Sequence, residues 1–98
     1  MENQKKLALE YFLDIRKSLD NVSRKFDNIG LDICYAYKDR PWTATYDFTH
    51  VIDLLGDYTS KILGVSVWED AINDIIYDYL RDKIEKEDVM KALKVYWE

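Results

Sequence analysis

The chain holds a single histidine, His50, so any histidine-dependent reaction has to run through it. Asp47 stands three residues before it, and Asp53 and Asp57 stand three and seven after it, spacings that share one helical face. Imidazole and carboxylate groups so spaced can approach one metal ion, which gives one reading: a small metal-binding helical enzyme or sensor centred on His50. The metal pattern of helical bundles, however, needs Glu-x-x-His on two helices and glutamates on two more. One histidine cannot build it, and an exposed polar face explains the same residues. No metal and no other cofactor is expected.

A second constellation is the stripe Asp70, Asp74 and Asp78, spaced i, i+4, i+8 on one predicted helix. Like charges at this spacing repel by a few tenths of a kcal/mol per pair, roughly, when exposed. A stripe of carboxylates is often only a solvated face. It also resembles the negative charge that basic grooves recognise, and beside Asp53 and Asp57 it would form one acidic surface. Tyr77 belongs to the flank next to Asp74 and Asp78. Aromatic side chains anchor protein interfaces because they bury much area while losing few rotamers. Asp53, Asp57, Asp70, Asp74, Tyr77 and Asp78 are therefore the candidate partner-binding residues.

Catalytic residues are not assigned. A carboxylate pair needs one member in an apolar pocket to act as acid and base, whereas periodicity places most carboxylates here on wet faces. Cys34, between Ile33 and Tyr35, reads as a core or half-buried thiol rather than a nucleophile. Being the only cysteine, it forms no intramolecular disulfide and no multi-cysteine metal site. The chain has no GxxxxGK[ST] loop, no GxGxxG, no HExxH and no calcium-loop pattern. The expectation is a binding protein, not an enzyme.

Several elements must position these residues. Ninety-eight residues suit one hydrophobic core, so a single domain over 1–98 is expected. With three glycines and one proline, the sequence lacks the turns of a sandwich or barrel and favours a few long helices. Ala8, Phe12, Ile15, Leu19, Val22, Phe26 and Ile29 recur every three or four residues and predict a first helix over about 3–29, roughly 40 Å long. Its polar face includes Lys5, Lys6, Arg16, Lys17, Arg24 and Lys25, and Gly30 is placed to end it. The heptad-like stripe fits packing inside a bundle or a coiled coil between chains. Residues 31–45 are the least regular stretch, either prolonging the helix past Gly30, forming a separate short helix or running extended. A break falls at Lys38-Asp39-Arg40-Pro41, with Trp42 and Tyr46 expected over one end of the core.

A second helix is expected from Thr45 to Leu63, with Phe48, Val51, Ile52, Leu55, Thr59, Ile62 and Leu63 inward. Gly56 interrupts it, for a close crossing or a bend. Ser66-Val67-Trp68-Glu69 reads as a capping box, backed by a hydrophobic staple at Val65. The third helix then runs over about 67–84, burying Trp68, Ala71, Ile72, Ile75, Ile76, Tyr79 and Leu80, with Arg81 and Lys83 near its end to suit the helix dipole. Val89, Met90, Leu93 and Trp97 line a last, shorter helix. Residues 85–88 are either a turn before it or surface of a rod fusing the last two helices. The fold expected is an all-α compact bundle of about four helices with a long N-terminal amphipathic helix, with three helices as the runner-up.

The net charge of −5 is unevenly spread. Residues 1–40 carry eight basic and seven acidic side chains, and residues 81–98 carry five of each. Residues 41–80 set one lysine, Lys61, against seven acids. That field attracts basic partners and repels phosphates, so direct nucleic-acid binding is disfavoured. The N-terminal residues lack the apolar core of a secretory signal, and no apolar run approaches a membrane span, which makes cytoplasmic the plain reading.

The leading expectation is a small acidic protein that regulates or inhibits a protein with a basic surface. Small immunity proteins and mobile-element inhibitors act in this broad way, and no motif places the chain in a family. The alternative is a structural or assembly protein, a homodimer through its long first helix.

Overall fold

The computed structural model describes residues 3–28 and 43–98, with backbone alone for 23, 26–28 and 43–49. It is a compact all-α bundle: α1 (Gln4–Asn28), α2 (Thr43–Leu63), α3 (Asp70–Leu80), α4 (Lys86–Ala92) and the single turn α5 (Lys94–Trp97). Gly30, Cys34, the stretch 31–42 and Trp42 lie outside the described residues, as do the side chains of Tyr46, Asp47 and Phe48.

α1 buries Leu9, Phe12 and Leu13 against Leu63 of α2, Ile72, Ile76, Tyr79 and Leu80 of α3, and Val89, Met90 and Leu93 around α4. The stripe read from the sequence is therefore rotated. Ile15 and Val22 were expected in the core and are exposed, while Leu9, Leu13 and even Arg16 are buried. Apolar residues cover a broad arc of this helix, and the partners that pack on it select one edge. The same holds on α2, where Thr59 and Leu63 are buried and Val51 is exposed. On α3 Ala71 is exposed.

Phe12 and Gly56 meet the same Trp68 ring, and Arg16 lies near Asp53, the contact order of an antiparallel α1–α2 pair. Phe12 meets the Trp68 indole edge-on with ring centroids 6.1 Å apart, and a side chain at Gly56 would collide with that same indole. At Gly56 the bare backbone seats Trp68. One helical turn on, Ser60 fastens the connection. Its hydroxyl donates to the Gly56 carbonyl at 2.7 Å and accepts the Val67 N–H at 2.9 Å. Gly64, at φ 79°, ends α2 in the left-handed conformation.

The expected capping box is absent. The Ser66 hydroxyl accepts the Trp68 N–H at 3.1 Å, while the Glu69 N–H bonds the Ser66 carbonyl. A turn over 67–69 results, and α3 begins only at Asp70 with Glu69 as its N-cap. α3 also stops early, at Leu80 rather than 84. The Asp82 N–H bonds the Tyr79 carbonyl at 3.1 Å and the Lys83 N–H bonds the Asp78 carbonyl at 2.9 Å. This is a Schellman ending with Asp82 at φ 61° where glycine is usual. The last two helices are thus separate, and the Asp88 carboxylate caps α4 by accepting the Glu85 N–H at 2.9 Å.

Candidate functional site

Arg16 organises the middle of the molecule. The sequence puts it on the polar face, yet it is only 7% exposed. Its guanidinium lies 5.4 Å from the Trp68 ring centroid, 5.1 Å from Tyr77 and 5.9 Å from Phe12, and it reaches Asn73 Oδ1 at 3.4 Å. Stacking on aromatic faces replaces part of its hydration. Burial pushes its pKa down, while Tyr77, Asp20 and Asp53 support the charge.

This cation draws three of the candidate residues together. Asp53 on α2 is exposed and close enough to act on Arg16 electrostatically. Asp57, also exposed, accepts the Trp68 indole N–H at 3.0 Å. Tyr77 on α3 lies between two cations, Arg16 and Arg81, the latter 5.2 Å from its ring. Tyr77 is thus a structural contact of Arg16 that still shows 39% of its surface. Asp70 and Asp74 are exposed on α3 and Asp78 is half-buried.

Charge pairing separates two sets of acids. Asp14 pairs with Lys86 at 3.2 Å, Asp20 with Arg24 at 3.0 Å, and Glu98 with Lys94 at 3.6 Å. Asp82 pairs with both Lys17 and Arg24. Among the described residues Asp53, Asp70, Asp74 and Asp78 take part in no such ion pair, and neither do Glu10, Asp57, Glu69, Glu85, Glu87 and Asp88. Their charge stays available to solvent or to a partner.

Sequence reasoning missed the clamp that α1 places on the end of α3. Lys17 Nζ donates to the Tyr79 carbonyl at 2.7 Å, and Arg24 donates to the Leu80 carbonyl at 2.7 Å. Cations at a helix C-terminus offset its dipole and satisfy its free carbonyls. Arg81 and Lys83 were expected to do this, but the last turn of α3 holds no basic residue. Burial pushes the Tyr79 phenol upward, with Asp14 adding to the shift and Lys17 opposing it. Only the positively charged polar face of α1 hinted at this arrangement.

His50 is exposed on α2 and has an interaction of its own within the fold. Among the described residues no group of three or more His, Cys, Asp or Glu side chains could hold a metal ion. An open cleft of about 300 Å³ lies between α1 and the α4–α5 end, lined by residues including Lys6, Glu10, Glu87, Met90 and Trp97. Lys6 covers the Trp97 ring at 5.3 Å, so the cleft combines an apolar floor with charges of both signs. No described helix is long and apolar enough to cross a membrane.

Compared with known proteins, the chain matches no family model, and neither the curated proteins nor the solved structures contain a significant match.

Proposed function

We propose that the chain is a small protein-binding regulator or inhibitor, acting in the cytoplasm, whose α2–α3 face engages a partner with a basic surface. The observation that carries this reading is the unpaired set Asp53, Asp70, Asp74 and Asp78, in a fold that neutralises Asp14, Asp20, Asp82 and Glu98 with its own cations. Unpaired carboxylates, exposed at Asp53, Asp70 and Asp74, give up little when a partner's cations replace water, and they speed encounter with a basic surface. Asp57 and Tyr77 contribute differently. Both are held by internal contacts, to Trp68 and Arg16, and lie beside the unpaired carboxylates.

The test compares the wild-type chain with the triple variant D70N/D74N/D78N as baits in a lysate of its own cells. The expected result is one basic protein retained by the wild type, released by rising salt, and lost with the variant. Equal recovery of the same partner by both baits would exclude this surface.

A further inference from the structure

Among the described residues the α1–α2 pair is packed on one side and leaves apolar side chains exposed on the other. Tyr11, Ile15 and Val22 of α1 are 58%, 41% and 38% exposed, and Val51, Leu54 and Tyr58 of α2 are 43%, 56% and 66% exposed. At 100° per residue, each trio lies about 130° around its helix from the buried edge, in the same rotational sense. In an antiparallel pair, equal displacements in the same sense emerge on the same side. The opposite side of α1 carries Lys17 and Arg24 to α3, and the opposite side of α2 carries Ser60 to the α3 approach. The six apolar side chains therefore form one surface facing away from α3 and α4.

We infer that this surface binds a second copy of the chain, giving a twofold dimer in which the α1–α2 pairs lie face to face and antiparallel. Two features select this occupant. The first is area. Taking roughly 200 Å² for a tyrosine and about 120 Å² for an aliphatic side chain, the exposed fractions amount to about 450 Å² of apolar surface. A stable interface buries about 800 Å² per partner, a little over half of it apolar, so this surface supplies the apolar share.

The second feature is self-complementarity. Phe12 lies near Gly56 through Trp68, and Arg16 lies near Asp53, which fixes the register of the two helices. Tyr11 and Tyr58 consequently share one end of the surface, Ile15 and Leu54 the middle, and Val51 and Val22 the other end. A twofold axis through the middle sets the bulky end of one copy on the small end of the other, the arrangement that lets two layers interdigitate. Asp70 and Asp74 lie on α3, behind this face, so the two acidic surfaces stay apart.

Sedimentation equilibrium of the full chain from micromolar to near-millimolar concentration tests the inference. The expected mass approaches twice 11.7 kDa, with a dissociation constant in the micromolar range or tighter. The variant I15E/L54E should keep its circular dichroism and sediment as a monomer, a rise in dissociation constant of at least about 100-fold. V95E changes an exposed apolar residue outside the surface and should leave the dimer intact. With Cys34 replaced by serine, mixing Y58C with V51C should give more mixed disulfide than either self-disulfide. A wild-type chain that stays monomeric at all concentrations overturns the inference. So does a dimer that I15E/L54E leaves unchanged, or one in which Tyr58 cross-links to its own copy instead.

Discussion

The two flanks of α1 follow opposite rules. On the flank facing α3 and α4, Lys17, Arg24 and Arg16 border the buried Leu9, Phe12 and Leu13 and reach carbonyls, rings and carboxylates across the molecule. On the flank facing outward, Tyr11, Ile15 and Val22 leave apolar surface in water. Amphipathicity alone would bury the second of these flanks and leave the cations in water. Hydrophobicity decides that a helix will find a partner, and the groups already fixed on the partner decide which flank is covered. Here the bare carbonyls ending α3 and the aromatic box of Phe12, Trp68 and Tyr77 are satisfied by guanidinium and ammonium groups on long apolar stems.

The contrast is broken most directly at neighbouring positions. Leu13→Ala should cost about 3 kcal/mol because it empties a fully buried site, measured by urea unfolding. Ile15→Ala, two residues away, should cost less than about 1 kcal/mol at concentrations low enough for the monomer. Comparable losses at both would mean that the outer flank is buried within the single chain.

Arg16→Ala should follow, at about 2–3 kcal/mol, since it leaves three rings and Asn73 around a void. Arg16→Met keeps most of the volume without the charge, and replacing a buried cation by a packed apolar group is often close to neutral. If Met is as damaging as Ala, the cation itself is required.

Lys17→Met should cost about 1–2 kcal/mol, because the Tyr79 carbonyl loses its charged donor. The signature that separates this from lost packing is local: amide hydrogen exchange should accelerate in the last turn of α3 before it does in α4.

The smallest effect concerns acid. Asp82 has its pKa lowered, chiefly by the hydrogen bond from Lys17 and then by the charges of Lys17 and Arg24. A folded-state pKa below the unfolded value contributes stability above pH ~4 that disappears as pH falls through the folded value. Asp82→Asn should flatten the acid side of the stability profile while preserving the left-handed turn, which asparagine tolerates. An unchanged acid limb would show that the pair with Lys17 does not persist in solution.

The helices themselves were legible because three- and four-residue spacing survives in each long segment, and the scarcity of glycine and proline excluded the β alternatives. The rotation of α1 was not. Its apolar residues span both Leu9–Leu13 and Tyr11–Ile15–Val22, and nothing local distinguishes the covered edge from the bare one. The end of α3 was illegible for a related reason. Asp82 takes a conformation that sequence rules reserve mainly for glycine, and the groups that pair with it, Lys17 and Arg24, stand on a different helix. Of the candidate site, the exposure of Asp53, Asp57, Asp70 and Asp74 followed from periodicity. The attachment of Tyr77 to Arg16 did not, because an arginine on a helix that also carries Lys17 and Arg24 reads as solvated.

The clamp on α3 also has a kinetic meaning. Lys17 contacts the Tyr79 carbonyl and Asp82, Arg24 the Leu80 carbonyl, and Lys86 reaches Asp14, separations of 62, 65, 56 and 72 residues along the chain. Helical proteins generally fold fast because their contacts are local. In this one, the end of a helix is finished by residues that arrive only after a loop of that length has closed, at an entropic cost that grows with the logarithm of loop size. Completion of the α3 C-terminus is consequently coupled to the docking of α1, so the non-local part of this helical fold sits at that one junction.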